Sequence, residues 1–385
     1  MFKHHQQCTK CVMDTTTALI SFDADGVCNF CHEYDELAKD TVNRPREARY
    51  KDFEKSINQI KEWGKDKPYD CILGLSGGLD SSYMALVAKE QGLRPLLVHF
   101  DNGWNTELAI KNIENIVNKT GFDLFTYVIN WEEFKDLQIA YFKASVIDIE
   151  VPTDQLIFAS LYKIASEKRI KYILSGNNIR TEATLPADWC FPDKLDYTNL
   201  STIHKKFGKV ELKNFPKLGL FEKNQYFITG LRQVAFFDKI DFNIKEVKER
   251  LQKEFNYIVY PCKHYESVFT RFYQGFILPT KFNVDKRKAH LSSMICSGLV
   301  TKAEALEELA KPPYPVKQQA EDKEYVLKKW DMTEEEFDEI MKRPPVPHKN
   351  FGADKAIDVN AFEYRLKMFY LYKIAFPLGL VKRIK

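Results

Sequence analysis

Residues 71–82 read CILGLSGGLDSS, a short apolar segment that leads into a loop rich in glycine and serine. The apolar segment predicts a buried strand, and residues 81–91 predict a helix that Gly92 closes. Glycines at positions 77 and 78 let backbone N–H groups approach an anion closely, and the positive end of the following helix points at the same place. This strand, loop and helix therefore predict a phosphate-binding site.

The loop differs from the two most familiar phosphate-binding loops. It lacks the lysine of the GxxxxGK[ST] loop and the glycine spacing of the GxGxxG fingerprint. Its Ser-Gly-Gly-x-Asp-Ser pattern resembles the PP-loop of the N-type ATP pyrophosphatases, which split ATP between the α- and β-phosphates. An ordinary strand-turn-helix junction is the alternative. The resemblance implies that ATP is held by Ser76, Gly77, Gly78, Asp80, Ser81 and Ser82.

Asp80 lies at the start of the predicted helix. Magnesium prefers one or two carboxylates together with phosphate oxygens, so Asp80 is a candidate Mg²⁺ ligand and catalytic residue. A carboxylate near a helix N-terminus is also stabilising for electrostatic reasons alone. Helix capping therefore stays open as its role.

Strand-like and helix-like segments alternate after this loop. Residues 95–100, 124–129 and 171–175 predict strands, and residues 107–119 and 154–168 predict helices. Such alternation is typical of a parallel sheet with crossover helices. We therefore predict an α/β fold with a doubly wound parallel sheet, followed by a mainly helical C-terminal region.

Polar residues follow two more of the predicted strands. Residues 99–104 read HFDNGW and residues 175–182 read SGNNIRTE. Open α/β sheets bind ligands beyond the carboxyl ends of their strands, so we expect both segments to border the nucleotide, although plain turns are an alternative. Arg180 is a candidate for stabilising charge on a leaving pyrophosphate. The further nucleotide-binding candidates are Phe100, Asp101, Asn102, Gly176 and Asn177.

Four cysteines follow the pattern Cys8-x2-Cys11-x16-Cys28-x2-Cys31. Two Cys-x-x-Cys pairs with a hairpin-length spacer are typical of a zinc ribbon, and four thiolates leave no open position for catalysis. We predict a structural Zn²⁺ site, with a redox pair or an iron–sulfur cluster as alternatives. The other cysteines, which show no catalytic pattern, are Cys71, Cys190, Cys262 and Cys296.

The composition excludes some classes of protein. The 57 basic and 54 acidic residues give a formal charge of only +3, which argues against general nucleic-acid binding. No stretch of about 18 apolar residues occurs, so we expect a soluble cytoplasmic protein without membrane contact. The predicted organisation is a zinc module (1–40), a helical connector (41–67), an ATP pyrophosphatase core (68–182) and a substrate- or partner-binding region (183–385).

Several further segments carry a closer resemblance. Residues 8–16 (CTKCVMDTT), 26–31 (GVCNFC), 101–104 (DNGW), 263–267 (KHYES) and 285–292 (DKRKAHLS) resemble the N-acetyl sugar amidotransferases of bacterial surface-glycan synthesis. The resemblance spans most of the chain. It implies an adenine nucleotide alpha hydrolase-like core that uses ATP and Mg²⁺ and acts on an acetamido sugar, either free or nucleotide-linked.

The resemblance also implies a reaction. The acetamido oxygen would attack the α-phosphate of ATP, and ammonia would then displace AMP to give an acetamidino group. No glutaminase nucleophile is recognisable, so ammonia is expected from a partner glutaminase with an ammonia-conducting subunit. Homo-oligomerisation is left open.

Basic residues are candidates for binding a sugar carboxylate or nucleotide-sugar phosphates, with Lys286 also a catalytic candidate. A solvated lysine-rich face is an equal alternative. Two other functions also stay open, namely a tRNA-thiolating or tRNA-modifying PP-loop enzyme and a non-catalytic zinc-ribbon scaffold that binds nucleotides. The basic candidates are Lys263, His264, Arg271, Lys281, Lys286, Arg287 and His290.

Overall fold

A parallel sheet lies at the centre of the molecule. The computed structural model describes residues 5–228, 230–261 and 265–353, and within them five parallel strands lie in the order β3-β2-β1-β4-β5. Because the order reverses at β1, a crevice opens between the carboxyl ends of β1 and β4. The predicted doubly wound α/β fold is confirmed. The strands are β1 (Cys71–Gly74), β2 (Pro95–Asp101), β3 (Leu124–Val128), β4 (Tyr172–Ser175) and β5 (Arg232–Ala235).

Helices precede, cover and follow the sheet. Those that come before β1 are α1 (Asn29–Lys39) and α2 (Arg46–Gly64). Those between β1 and β5 are α3 (Leu79–Glu90), α4 (Glu107–Thr120), α5 (Trp131–Lys143), α6 (Val151–Glu167), α7 (Ile179–Glu182), α8 (Tyr197–Phe207) and α9 (Leu220–Ile228). The C-terminal helices are α10 (Ile244–Phe255), α11 (Val268–Phe272), α12 (Leu278–Phe282), α13 (Arg287–Cys296), α14 (Lys302–Ala310), α15 (Val316–Trp330) and α16 (Glu334–Lys342), with a π-helical turn at Tyr273–Ile277 and a 3-10 turn at His348–Phe351.

Local sequence signals set several helix ends. The Thr106 side chain accepts a hydrogen bond from the N–H of Ala109 at the start of α4, and Gly121 ends that helix in the left-handed conformation. A capping box formed by Thr301 and Glu304 begins α14. None of the helices in the described ranges is long and apolar enough to span a bilayer.

Neighbouring residues of β1 bury their side chains on opposite faces of the sheet. Leu73 packs in a cluster with Met84 of α3, whereas Ile72 packs in a cluster with Ile164 of α6. A further cluster joins the four cysteines to the C-terminal helices through residues such as Phe269. The N-terminal module therefore shares its core with the C-terminal region, and the division into four segments stays a prediction.

The sequence did not predict β5. This strand lies beyond residue 182, where the predicted core ends, and it pairs with β4 from Tyr172↔Arg232 to Ser175↔Ala235. Only four residues long and half polar, it carries too weak a local pattern to identify. Its pairing with β4 therefore decides its conformation.

Candidate active site

The loop between β1 and α3 has the geometry of an anion cradle. Gly78 is the N-cap of α3, and Gly77 adopts a φ of +78°. The hydroxyl of Ser76 accepts a hydrogen bond from the N–H of Gly78 (3.2 Å), and that of Ser81 accepts one from the N–H of Ser76 (3.3 Å). The buried Ser82 hydroxyl donates to the carbonyl of Gly78 (2.7 Å) from behind. Ser82 thus supports the loop, while Ser76 and Ser81 border a cavity.

Two adjoining cavities open at the carboxyl ends of the strands. The loop cavity, of about 460 Å³, borders the glycine loop, and the strand-end cavity, of about 270 Å³, lies beyond β1, β2 and β4. Both are lined by Ser76, Gly176 and Glu266, so they form one elongated cleft. A cleft with a phosphate cradle at one end and apolar side chains at the other suits a nucleotide.

Most of the predicted nucleotide-binding residues line this cleft. Phe100 and Asn102 line the strand-end cavity. The prediction for Asp101 needs correction, because this residue lines a separate cavity beside α4 and its carboxylate accepts a hydrogen bond from the N–H of Gly103 (3.1 Å). That these residues bind ATP stays a prediction. Lining the loop cavity are Ser76, Gly78, Asp80, Ser81, Gly176 and Asn177.

Sequence reasoning missed several residues of the loop cavity, three of which carry polar or charged groups of interest. Lys248 of α10, Tyr257 and Glu266 line it together with Asp80 and Glu182. Glu266 lies in segment 263–267, which resembles the N-acetyl sugar amidotransferases. That resemblance was the signal in the sequence that could have identified Glu266 as a site residue. Nothing in the local pattern around Lys248 or Tyr257 separates them from neighbouring helix and loop residues.

Arg180 does not reach the cleft. Its buried guanidinium donates to the carbonyls of Phe237 (2.5 Å) and Ile240 (3.3 Å), and burial lowers its pKa. The predicted role on a leaving pyrophosphate therefore needs correction. Arg180 does follow β4, as the sequence predicted. Its side chain, however, points from α7 toward the segment after β5 and away from the cleft.

Lys286 also lies outside the cleft. It is buried with Asp148 and Glu150 and lines neither of the two cavities. Burial raises the pKa of Asp148, but the ammonium groups of Lys194 and Lys286 outweigh burial and hold that pKa below its usual value. The predicted catalytic role of Lys286 has no support in this position.

The other basic candidates have intramolecular partners where the structure describes them. Arg271 pairs with Asp322 (2.7 Å), and Lys281 donates to carbonyls at the end of α16. Arg287 pairs with Asp285 (2.7 Å), and a ring nitrogen of His290 lies 3.1 Å from the carbonyl oxygen of Thr181. These contacts stabilise the C-terminal region rather than form a free basic face. Lys263 and His264 lie outside the described residues.

The four N-terminal cysteines form a candidate metal centre. Their sulfur atoms lie within 4.8 Å of one another, and all four residues are buried. The N–H groups of Cys11 (3.3 Å) and Cys28 (3.2 Å) donate hydrogen bonds to the sulfur of Cys8. Four buried thiolates at this spacing fit a tetrahedral soft metal ion or a cluster.

Helix α13 connects this metal centre to the cleft. The Ser292 hydroxyl accepts a hydrogen bond from the N–H of Val12 (3.3 Å), and the Ser293 hydroxyl accepts one from the N–H of Thr184 (2.8 Å). The sulfur of Cys296 lies 3.6 Å from that of Cys31. The position of α13, and of the α7 segment that borders the loop cavity, therefore depends on the cysteine module.

The fold is that of a PP-loop-like α/β protein, with a glycine loop after β1 and a cleft at the carboxyl ends of the strands. Residues 266–365 match the family model described as LPS biosynthesis protein WbpG-like, C-terminal domain. This part of the chain is similar to that domain, which supports the predicted resemblance to proteins of bacterial surface-glycan synthesis.

Similarity to other proteins is more distant. The chain is 26% identical over 129 residues to tRNA-specific 2-thiouridylase MnmA of Clostridioides difficile (strain 630), a match that covers 29% of this chain and 35% of that relative. The NH3-dependent NAD synthetase of Campylobacter jejuni aligns with 77% of this chain and 98% of its own, at 14% identity and a TM-score of 0.32. The U34-tRNA thiolase NcsA of Methanococcus maripaludis, with its [4Fe-4S] cluster, aligns over 100% of both chains at 14% identity and a TM-score of 0.31.

Proposed function

We propose that the chain is an ATP-dependent amidotransferase that converts an acetamido group of a bacterial surface-glycan sugar to an acetamidino group. The observation that carries the proposal is the joining of a PP-loop cleft to a WbpG-like C-terminal domain, with Glu266 at the start of the matched segment lining both cavities. The energy comes from ATP, and ammonia comes from a partner glutaminase with an ammonia-conducting subunit.

The proposed reaction consists of two displacement steps, the first at the α-phosphorus of ATP and the second at the carbon of the acetamido group. The acetamido oxygen attacks the α-phosphorus, the bond to the bridging oxygen breaks, and pyrophosphate leaves with the electron pair. The amide nitrogen loses its proton, which leaves a neutral O-adenylated imidate. Ammonia then attacks the carbon of the O-adenylated imidate, the C–O bond breaks, AMP leaves, and the new nitrogen loses a proton. The protein contributes mainly positioning and stabilisation of charge.

The residues of the cleft suit these steps. Backbone N–H groups of the loop, the hydroxyls of Ser76 and Ser81 and the N-terminus of α3 all stabilise phosphate oxygens. The carboxylates of Asp80, Glu182 and Glu266 line the same cavity. Mg²⁺ prefers one or two carboxylates beside phosphate oxygens, so Asp80 is the proposed ligand. When bound there, Mg²⁺ would neutralise charge that develops on pyrophosphate.

The free cysteines support an external source of ammonia. Burial raises the pKa of Cys71, which lies in β1, and that of Cys190. Cys296 lies against the metal centre, and Cys262 is outside the described residues. A buried thiol with a raised pKa is a poor nucleophile.

Product analysis tests the proposal. With ATP, ammonium and a panel of diacetamido sugar acids, we expect AMP, pyrophosphate and a sugar whose mass changes as O is replaced by NH. Asp80→Asn should lower turnover at least about 100-fold because a metal-binding carboxylate is lost. Asp66→Asn, at an exposed position away from the cleft, serves as the matched control. ADP as the product, or AMP formation that needs tRNA instead of a sugar, would contradict the proposal.

The segment after β2 is held by a lysine. The ammonium of Lys329 lies 4.0 Å from the ring centroid of Trp131 and 4.7 Å from that of Trp104, and it donates to the carbonyl of Gly103. Lys329→Met should remove these contacts and weaken ATP binding by about ten-fold, because the segment also carries Asn102 of the cleft. Calorimetric titration with ATP checks this expectation. The exposed neighbour gives the control, Lys328→Met, and equal affinities for both variants would show that the contact has no effect on the cleft.

A further inference from the structure

The loop cavity has an unusual balance of charge for a site that binds a polyphosphate. Three carboxylates line it, and the two cations expected from the sequence, Arg180 and Lys286, lie elsewhere. Among the described residues that line this cavity, Lys248 is the single lysine or arginine. A polyphosphate carries several negative charges, so its binding beside carboxylates needs cations and hydrogen-bond donors.

Lys248 is available for such a ligand. It lies on α10, which Asn243 caps by accepting hydrogen bonds from the N–H groups of Lys245 (2.9 Å) and Glu246 (3.2 Å). Arg250 on the same helix pairs with Glu90 and donates to the hydroxyl of Tyr83. Lys248, by contrast, has no ion pair or hydrogen bond with any residue that the structure describes.

Tyr257 offers a second donor on the same wall. It is only 3 % exposed, and its hydroxyl has no hydrogen-bond partner in the described part of the chain. Burial raises the pKa of Tyr257, and the nearby Glu266 and Asp80 add to the effect, so the phenol keeps its proton. A buried hydroxyl without a partner costs about 1–3 kcal/mol, which a ligand with an acceptor oxygen would recover.

The wall that carries Tyr257 is fixed in place. The N–H of Ile258 donates to the side chain of Asn112 (2.8 Å), whose amide donates back to the carbonyl of Ile258 (3.0 Å). The side chain of Asn115 donates to the carbonyl of Asn256 (3.0 Å). The hydroxyl of Tyr257 is therefore held in position before a ligand binds, which lowers the entropic cost of binding.

We infer that Lys248 and Tyr257 form the subsite for the terminal phosphates of ATP and for the pyrophosphate that leaves. The strand-end cavity suits the nucleoside, so the β- and γ-phosphates extend past the glycine loop toward α10. There the ammonium of Lys248 and the hydroxyl of Tyr257 donate to non-bridging oxygens. The inference rests on the proposed function only in its use of ATP, and it does not depend on the sugar.

Calorimetric titrations with ATP, AMP and inorganic pyrophosphate, all with Mg²⁺ and without sugar, test this subsite. Lys248→Met should weaken ATP and pyrophosphate binding by about ten-fold or more, and Tyr257→Phe by about five-fold, because each loses a donor to a charged acceptor. Binding of AMP should stay within about two-fold of the wild type, since AMP lacks the terminal phosphates. Thermal unfolding should be unchanged in both variants because neither group has a described partner.

Two controls match the chemistry of the changes. Lys245→Met removes an exposed lysine from the same helix, and Tyr141→Phe removes another buried hydroxyl without a described partner, at a residue that does not line the cavity. Both should bind all three ligands like the wild type. If a test variant lost equal affinity for AMP and ATP, or if neither test variant lost affinity for ATP, the proposed subsite would be wrong. The use of ATP by the chain would not be contradicted by either result. A wild-type chain that binds neither ATP nor pyrophosphate would overturn the proposed function as well.

Discussion

Replacing Gly77 by alanine is expected to abolish measurable ATP binding. Gly77 has a φ of +78°, and a Cβ there would lie 2.6 Å from the carbonyl oxygen of Ala109 on α4. Because the backbone fixes the position of a Cβ and the carbonyl belongs to the backbone of α4, relief of this contact requires a shift of the loop or of α4. The Gly77 carbonyl also accepts a hydrogen bond from the hydroxyl of Tyr260 (3.1 Å), which ties the loop to the opposite wall. We expect ATP affinity to fall at least about 100-fold, since the cradle depends on this backbone conformation.

A second glycine serves as the control, because it separates the strain of a positive φ from the steric clash of the added Cβ. Gly121 also has a positive φ (+70°) but has no atom within 4 Å of a Cβ placed there. Gly121→Ala should therefore cost about 1 kcal/mol of unfolding free energy through backbone strain and leave ATP binding unchanged. Calorimetry and thermal unfolding measure both quantities. ATP binding by Gly77→Ala at wild-type affinity would show that the loop does not form the cradle.

Loss of the metal is expected to have the second large effect. Cys28→Ser removes one of four buried thiolates, and the remaining donors cannot complete a tetrahedral site. Binding of a structural metal is part of the folding free energy, so we expect a loss on the order of 5 kcal/mol and an unfolded N-terminal module. Because α13 contacts both the module and α7, ATP affinity should fall together with metal content.

The neighbouring thiol supplies the control for this experiment. Cys296 contacts Cys31 but lies outside the group of four, so Cys296→Ser should keep one metal site per chain and bind ATP normally. Elemental analysis gives the metal content, with zinc as the expected ion, and visible absorption would identify an iron–sulfur cluster instead. Full ATP affinity in a metal-free chain would show that the module is independent of the cleft.

The features that the sequence predicted correctly depend on residues close together in the chain. The glycine loop after β1 and the helix that follows it each need only a few neighbouring residues. The cysteine spacing likewise identified a cluster of four thiols. The alternation of strands and helices was enough to predict the class of fold. Crossover connections between parallel strands are almost always right-handed, so only a few sheet topologies are possible.

The sequence by itself therefore determined the class of fold, the glycine loop and the cysteine cluster. The tertiary structure alone decided that Arg180 and Lys286 turn into buried contacts, that β5 joins the sheet, and that Lys248 and Tyr257 complete the wall of the loop cavity. The physical reason is that these placements depend on packing between segments far apart in the chain. The packing of whole helices against the sheet decides which side chains line a cavity. Local sequence patterns do not determine that packing.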